Sequence, residues 1–358
     1  MMRAPQRSAP TARPAAFAIP GDIATLTGGY VYERRLLESL RALGREVRHV
    51  RLGASFPDPT DADVADTVAQ LTALGEDTPI ILDGFISGAM PTQSLALVHA
   101  PLIAVVHHPL ALEKGLDDER RARLHRTERD NLALIEHVLV PSPHTAAMLT
   151  EHYAVPGERI TVVRPGTDAP LGPGAPEQPP LILSVGIQHP RKGHDVLLAA
   201  LAQLPDRPWR AVIVGSSWHP EHAAQLARQH AALGLGDRVR FAGRVDAAEL
   251  SGLYRSATVF ALATRYEGYG IVFDEALAHG LPIVSCAVGA VPDTVPADAG
   301  VLVPAEDPSA LAAALTAVLT DPVHRARLAV AAARAGAALP RWRDAAEVVA
   351  RVLDDAGR

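Results

Sequence analysis

The stretch VFALATRYEGYGIVFDEALAHGLPIVS, residues 259–285, predicts a strand, a loop, a helix and a second strand in succession. Apolar runs at Val259–Ala263 and Ile283–Ser285 are typical of buried strands, and Ile271–Ala278 has helical periodicity. Gly280 follows the helix, and a glycine at that position is a common C-terminal cap. Strand, helix and strand in this order indicate two parallel strands covered by a helix, which is an α/β fold.

The same alternation continues on both sides of this stretch. Before residue 163 it predicts strands Ala15–Ile19, Val47–Leu52, Ile80–Asp83, Leu102–Val106 and Val138–Val140, with helices Tyr30–Leu43, Asp63–Leu74 and Asp117–Glu136. After residue 180 it predicts strands Leu181–Val185, Ala211–Gly215 and Val239–Ala242, with helices Asp195–Leu204, Glu221–Leu233, Ala247–Ser256, Pro308–Leu319 and Arg343–Asp354. We therefore expect two doubly wound, Rossmann-like domains, with a ligand cleft at the carboxyl ends of their strands.

The segment VRPGTDAPLGPGAPEQPP, residues 163–180, interrupts this rhythm, because neither helix nor strand tolerates so much proline and glycine. The predicted organisation is a flexible tail over 1–16, a first domain over 17–168 and a linker over 169–180. A second domain follows over 181–335, and a C-terminal helix within 336–358 is expected to cross back to the first domain.

Composition excludes several classes of protein. A chain of 358 residues that is 48% apolar can build two cores, and a net charge of -6 argues against a large nucleic-acid surface. Cys286 is the only cysteine, which excludes disulfides within one chain and fits a reducing cytoplasm. No apolar run approaches the ~20 residues that span a bilayer. Residues 1–16 lack the apolar core of a secretion signal, and contact with a membrane or partner is the alternative to a mobile tail.

Two glutamates flank the start of the helix in the opening stretch. Gly268 and Gly270 surround Tyr269, so the backbone can bend there and approach a ligand closely. The first N–H groups of the helix have no partners within it and attract an anion such as a diphosphate. Glu267 and Glu275 can each accept hydrogen bonds from sugar hydroxyls. In the alternative, Glu267 only complements the helix dipole and Glu275 faces solvent.

These residues resemble the E-x7-E region of the retaining glycosyltransferases of family 4, which have the GT-B fold of two Rossmann-like domains facing a cleft. Further motifs occur in the order of that family: Pro141-Ser142 with Thr145 and Leu149, Pro165-Gly166-Thr167-Asp168, Ser184-Val185-Gly186, Pro190-Arg191-Lys192-Gly193-His194-Asp195, Val239–Gly243 with Leu250 and Tyr254, and Gly289-Ala290-Val291-Pro292-Asp293. The resemblance covers nearly the whole chain from Phe17 onward.

The resemblance implies roles in binding a nucleoside diphosphate sugar. Glu275 would accept the ribose hydroxyls and Glu267 the hydroxyls of the transferred hexose. The loop and helix start at Tyr269, Gly270, Ile271 and Val272 would contact sugar and phosphate. Arg191 and Lys192 would stabilise the charge on the leaving diphosphate. Many relatives carry an arginine where this chain has Ile187, so Arg191 is expected to replace it.

In the first domain the resemblance implies that Gly28 and Gly29 form a glycine loop that faces the donor phosphate and the acceptor. A structural tight turn is the alternative. His107 and His108 follow a predicted strand, and family members keep a histidine there that contacts the transferred sugar. His108 fits the family's H-x-L pattern because Leu110 follows it, and His107, which ends the strand, is its rival. A polar strand cap is the structural alternative for either.

The expected activity is metal-independent transfer of a hexose, with retention, to the hydroxyl of a glycan, a lipid-linked acceptor or a small molecule. No cofactor is expected beyond the donor substrate, and Asp61-Ala62-Asp63 is predicted to be a helix start rather than a metal site. A phosphorylase, a nucleotide-sugar epimerase and a non-catalytic nucleotide-sugar sensor stay as alternatives. The expected location is the cytoplasm. Peripheral contact through the arginine-rich helix near Arg120 and homo-oligomer formation stay open as well.

Overall fold

A computed structural model describes residues 13–113, 115–170, 172, 174–217 and 219–357. Within these residues the chain forms two compact units, each built on one six-stranded sheet. The first unit contains residues 13–141, 145–164 and 342–357, and the second contains residues 142–144 and 165–341. No helix among the described residues combines the length and the apolar character that crossing a bilayer requires.

The twelve strands carry the central part of each unit. In chain order they are β1 Ala15–Pro20, β2 Val47–Leu52, β3 Ile80–Asp83, β4 Leu102–Val105, β5 His137–Val140, β6 Ile160–Val162, β7 Leu181–Val185, β8 Arg210–Val214, β9 Val239–Gly243, β10 Val259–Leu262, β11 Ile283–Cys286 and β12 Gly300–Val303. The sheet of the first unit has the order β2-β1-β3-β4-β5-β6, and that of the second has the order β12-β11-β10-β7-β8-β9. All the strand pairs are parallel.

The α-helices connect the strands and cover the sheets. In chain order they are α1 Gly28–Ala42, α2 Asp61–Thr72, α3 Gly84–Ala89, α4 Thr92–Leu95, α5 Asp118–Leu134, α6 Pro143–Tyr153, α7 His194–Leu201, α8 Pro220–Ala232, α9 Ala247–Ser256, α10 Ile271–Ala278, α11 Val291–Thr294, α12 Pro308–Thr320, α13 Pro322–Ala337 and α14 Trp342–Asp355. The two-domain α/β architecture predicted from the sequence is therefore confirmed.

The central strands are buried on both faces, as strands of a parallel sheet covered by helices must be. In β7 the side chain of Ile182 packs into one core cluster, while its neighbours Leu181 and Leu183 pack into the cluster on the opposite face. Alternation of side chains along a strand explains this division. Burial on both faces also explains why four of the five residues of β7 are apolar.

Both ends of the described chain are held in the first unit. Ala15 and Ala16 belong to β1 rather than to the tail predicted over 1–16, of which residues 1–12 lie outside the described part. Arg13 donates a hydrogen bond of 2.8 Å to the carbonyl of Ala356. The C-terminal helix α14 packs on α1, where the Trp342 and Tyr32 rings lie 5.8 Å apart.

Seven of the strands and α-helices were not predicted from the sequence: β6, β12, α3, α4, α6, α11 and α13. β6 and β12 are short strands at the edges of their sheets, and α13 follows α12 with only Asp321 between them. Edge strands lack the long apolar run of a central strand, so their signal is weak. α2 begins at Asp61, two residues earlier than predicted, because Thr60 caps it by accepting a hydrogen bond from the Asp63 amide.

Candidate functional site

The cationic pair Arg191 and Lys192 lies in a short 3-10 helix, Pro190–Lys192, that follows β7 in the second unit. Gly193 ends this helix in the left-handed conformation, with φ +63°, and a Cβ there would lie 1.8 Å from the Ala263 carbonyl oxygen. Only glycine permits such a close approach. The turn that carries the two cations is therefore pressed against the segment that follows β10.

Glu267 is the centre of this cluster. Its side chain is buried, with the residue 4% exposed, and Oε1 accepts hydrogen bonds from Lys192 Nζ at 2.6 Å and Thr264 Oγ1 at 2.9 Å. Arg191 Nη1 lies 3.5 Å from Oε2. Burial raises the pKa of Glu267, but Lys192, Arg191 and the hydrogen bonds outweigh burial and hold the pKa below its ordinary value. Glu267 is therefore an anion whose charge is balanced by two cations.

A second ion pair fixes the same two segments to each other. Arg265 donates two hydrogen bonds to Asp195, at 2.8 and 2.7 Å, and also pairs with Glu306. Charge-assisted bidentate bonds of this kind are among the strongest and most directional side-chain contacts. Arg265 and Thr264 were given no role from the sequence, although both lie directly before the recognised Glu267.

The helix α10 begins beside Glu267. Gly270 adopts φ +91° as its N-terminal cap, and a Cβ built on it would lie 3.6 Å from Glu267 Cγ. The amides of Ile271 and Val272 belong to the first turn, whose N–H groups have no partners within the helix. The positive end of the helix and the two cations are thus both adjacent to one buried carboxylate.

The side chain of Tyr269 is buried and held by hydrogen bonds within the second unit. Its hydroxyl donates a 2.5 Å hydrogen bond to the buried Asp274, and its carbonyl accepts one of 2.9 Å from Thr294 Oγ1. The ring is 7% exposed, so it fixes the loop before α10 from inside the unit. We therefore expect the backbone of Tyr269, rather than its ring, to take part in any ligand contact.

Glu275 lies within α10 and is half-buried. Tyr254 Oη donates a 2.7 Å hydrogen bond to Glu275 Oε2, and the Tyr254 ring stacks on His279 with centroids 5.0 Å apart. Burial raises the pKa of Glu275, the Tyr254 bond lowers it and Asp168 raises it, with a net shift above the ordinary value. Tyr254 and Asp168 appear in the recognised motifs, but no contact between them and Glu275 could be inferred from spacing.

The first unit brings Gly29 of the expected glycine loop and one of the two histidines together. Gly28 and Gly29 begin the helix α1, and a Cβ on Gly29 would lie 3.2 Å from Cδ2 of His107, so the imidazole packs against this first turn. A Cβ on Gly28, by contrast, would have within 4 Å no heavy atom of the described residues outside its own stretch of chain. His108 Nε2 instead pairs with Glu113 at 2.9 Å.

The Asp61-Ala62-Asp63 stretch lies in the first turn of α2, as predicted, although Thr60 rather than an aspartate is the cap. Ser55 donates hydrogen bonds to the Asp63 carboxylate through both its hydroxyl and its amide. These contacts give Asp63 a structural role in closing the loop before α2.

Two models of known protein families match most of the chain. The model of the family "Glycosyl transferases group 1" matches residues 171–335, and that of "Glycosyltransferase Family 4" matches residues 79–170. The chain is 35% identical to the D-inositol 3-phosphate glycosyltransferase of Xylanimonas cellulosilytica over 64% of this chain and 59% of that protein. It is 30% identical to D-inositol 3-phosphate glycosyltransferase 2 of Catenulispora acidiphila over 83% of both.

Solved structures show the same fold. Sucrose-phosphate synthase from Thermosynechococcus elongatus superimposes with a TM-score of 0.79 at 24% identity, covering 95% of this chain and 98% of that one. Anabaena HepE in complex with UDP-glucose gives a TM-score of 0.77 at 17% identity, covering 94% of this chain and 99% of that one. The family resemblance inferred from the motifs is confirmed: the chain belongs to the glycosyl transferases group 1 family and has the GT-B fold.

Proposed function

We propose that this protein is a retaining, metal-independent glycosyltransferase that moves a hexose from a nucleoside diphosphate sugar to an acceptor hydroxyl. The observation that carries the proposal is the cluster of Lys192, Arg191 and Glu267 at the start of α10. Relatives named glycosyltransferases support it, because the chain shares their family as well as these motifs.

The cluster has the charge that departure of a diphosphate requires. When the bond between the sugar C1 and the phosphate oxygen breaks, that oxygen keeps the electron pair and gains negative charge. Lys192, Arg191 and the first amides of α10 would stabilise this charge, which is the largest contribution in many reactions of this type. Lys192 can serve Glu267 and a phosphate together, because an ammonium group has three N–H donors.

The two glutamates would bind the polyol parts of the donor. Both short hydrogen bonds to Glu267 end on Oε1, so we assign Oε2, which Arg191 Nη1 approaches only to 3.5 Å, to the hexose hydroxyls. Glu275, oriented by Tyr254, would accept the ribose hydroxyls. Neither glutamate is assigned an acid/base role. The acceptor hydroxyl would attack on the face of the sugar that the phosphate leaves, and this attack preserves the anomeric configuration. The leaving phosphate oxygen would take the acceptor proton.

A donor and acceptor screen tests the proposal. UDP-, GDP-, ADP- and dTDP-sugars are first compared by thermal shift, with UDP-glucose included because HepE was solved with it. The best donor is then incubated with D-inositol 3-phosphate and a panel of glycan and lipid acceptors, with and without EDTA. We expect a glycoside whose anomeric NMR signal has the configuration of the donor, formed at the same rate with EDTA.

Other outcomes would contradict the proposal in distinguishable ways. Phosphate-dependent cleavage without an acceptor would indicate a phosphorylase, and an epimerised donor an epimerase. Tight donor binding without turnover across the panel would indicate a sensor. Peripheral membrane contact and homo-oligomer formation stay predictions, which vesicle flotation and analytical ultracentrifugation would test.

A further inference from the structure

The imidazole of His107 lies beside two buried carboxyl groups in the first unit. Its Nε2 is 3.4 Å from Glu33 Oε1, and its ring meets the Tyr32 ring edge-on with centroids 5.1 Å apart. Gly29 closes the other side of the ring, since a Cβ there would lie 3.2 Å from Cδ2. The ring thus packs against the first turns of α1, to which Gly29, Tyr32 and Glu33 all belong.

Glu33 and Asp83 form a carboxyl pair. Glu33 projects from α1 and is completely buried, and Asp83 ends β3 and is 6% exposed. The two carboxyl groups interact with each other, and Asp83 also accepts a 2.6 Å hydrogen bond from the Phe85 amide. Two buried carboxyl groups that interact disfavour each other's ionisation. A state with one proton and one negative charge on the pair is therefore favoured.

The titration behaviour of the neighbouring groups agrees with a shared proton. Burial raises the pKa of Glu33 to about 7. Burial and the Glu33 charge raise the pKa of Asp83 well above its ordinary value. Burial lowers the pKa of His107, and Asp83 opposes that shift only in part, so the imidazole is neutral near pH 7. Tyr30 also faces this group, and burial together with Asp83, Glu33 and Asp22 raises its pKa to about 12.

We propose that Glu33 and Asp83 are positioning residues that orient His107 against the first turn of α1 and fix its neutral tautomer with the proton on Nε2. Nε2 donates to the charged oxygen of Glu33, which leaves Nδ1 as a hydrogen-bond acceptor for a substrate hydroxyl. The proposal assigns the substrate-facing role to His107 rather than to His108, whose partner Glu113 is one-third exposed. The expected effect on catalysis rests on the proposed glycosyltransferase activity, whereas the assignment of the His107 tautomer does not depend on it.

NMR of the imidazole nitrogens tests the tautomer without any turnover. The chain has 15 histidines, and the signal that disappears in His107→Asn identifies His107. We expect the Nε2–H form in the wild-type protein and in Glu33→Gln, because the amide still donates to Asp83 and accepts from His107. Glu33→Leu should give a mixture of tautomers. The Nδ1–H form in the wild-type protein would overturn the proposal.

Steady-state kinetics with the donor found in the screen test the consequence. In Glu33→Leu we expect kcat to fall ~10–100-fold with an unchanged donor KM, by analogy with the loss of a carboxylate that orients a metal-bound histidine. Glu33→Gln should retain most of the wild-type kcat, because the amide oxygen can still accept the hydrogen bond from His107. Glu113→Gln is the matched control, because it changes the carboxylate beside His108, and it should leave kcat and its pH profile unaltered.

Two results would contradict the positioning role. A folded Glu33→Leu variant with the wild-type kcat and pH profile would show that the pair acts on stability alone. A fall of kcat in Glu113→Gln instead would assign the role to His108. If Glu33→Leu does not fold, the NMR measurement of the His107 tautomer in the wild-type protein tests the proposal by itself. Absence of transferase activity in the wild-type protein would refute the proposed function, whereas the NMR result would still stand.

Discussion

Two sets of buried and half-buried carboxyl groups, one in each unit, differ in what stands beside them. In the first unit Glu33 interacts with Asp83 and Glu128 accepts a 3.0 Å hydrogen bond from the Leu110 amide, and burial raises the pKa of all three. In the second unit Glu267 faces Lys192 and Asp195 faces Arg265, and the pKa of each of these two carboxyl groups is lowered. The first set favours the protonated acids, whereas the second balances its carboxylates with cations.

This difference bears on which region is suited to bind an anion. A cation that balances a buried carboxylate can also meet a phosphate, whereas a protonated carboxyl adds no positive charge. Of the 34 basic residues only two are lysines, Lys114 and Lys192. All the other residues of this basic set are arginines. Lys192 is therefore one of only two side-chain ammonium groups in the chain, and it lies at the site proposed for the diphosphate.

The largest effect on stability should come from removing the charge of Glu267. Glu267→Gln leaves Lys192 and Arg191 without their carboxylate, and loss of one partner of a buried pair costs ~3–5 kcal/mol. Denaturant unfolding at pH 7 measures the change. Asp298→Asn, which alters an exposed ion pair with Arg334, is the control and should change stability by less than ~1 kcal/mol. Equal losses of unfolding free energy in the two variants would show that the buried Glu267 cluster contributes no more to stability than the exposed ion pair.

Removal of the ammonium group should have the largest effect on catalysis. We expect Lys192→Ala to lower kcat by about 10²–10³-fold, or ~2.7–4 kcal/mol, the loss seen when one donor to a developing anion is deleted. Lys192→Arg should restore only part of the rate, because a planar guanidinium does not replace a point charge. Arg334→Ala, which removes an exposed cation of the same unit, serves as control. A wild-type kcat in Lys192→Ala would refute the assignment.

Glu128 allows a test of the protonated acids by pH. Burial raises its pKa to about 8, so between its ordinary pKa of 4.5 and pH 8 the folded state holds a proton that the unfolded state has released. The contribution of this proton to the free energy of unfolding is therefore fully present at low pH. It decreases as the pH rises toward 8, by up to ~1.4 kcal/mol per pH unit.

We expect Glu128→Gln to flatten the pH dependence of the unfolding free energy between pH 5 and 8. The measurement is denaturant unfolding at several pH values. Glu119→Gln, an exposed change on the same helix, should leave the wild-type slope in place. An unaltered slope in Glu128→Gln would show that this acid is ionised in the folded protein.

The smallest predicted effect concerns the partner of Glu275. Tyr254→Phe removes the 2.7 Å hydrogen bond to Glu275 and should weaken binding of the nucleoside diphosphate. A lost hydrogen bond of this kind is worth ~1 kcal/mol, or about fivefold in Kd. Calorimetry with the diphosphate and its 2′-deoxy analogue measures the change. The loss should be smaller for the analogue if Glu275 contacts the ribose, and an equal loss for both would contradict that contact.

Much of the fold could be predicted because local sequence encodes it. The bounds of β2, β3, β7, α9 and α10 agree with those predicted, since runs or regularly spaced sets of apolar residues mark these strands and a helix has its own periodicity. Gly44, Gly75 and Gly280 have positive φ directly after helices, as their sequence positions indicate. β6 and β12 were missed because pairing with one neighbour, rather than local composition, makes a short edge segment a strand.

The sequence by itself determined the fold class, the family and the identity of the candidate site residues, because each of these depends on composition and on motifs of a few residues. Only the tertiary structure decided which residues act on one another. Lys192 and Glu267 are 75 positions apart, and Tyr254 and Glu275 are 21 apart, so no periodicity relates them. Burial raises the pKa of a carboxyl group wherever it lies, and the net shift is downward where the fold places a cation beside it, as at Glu267 and Asp195.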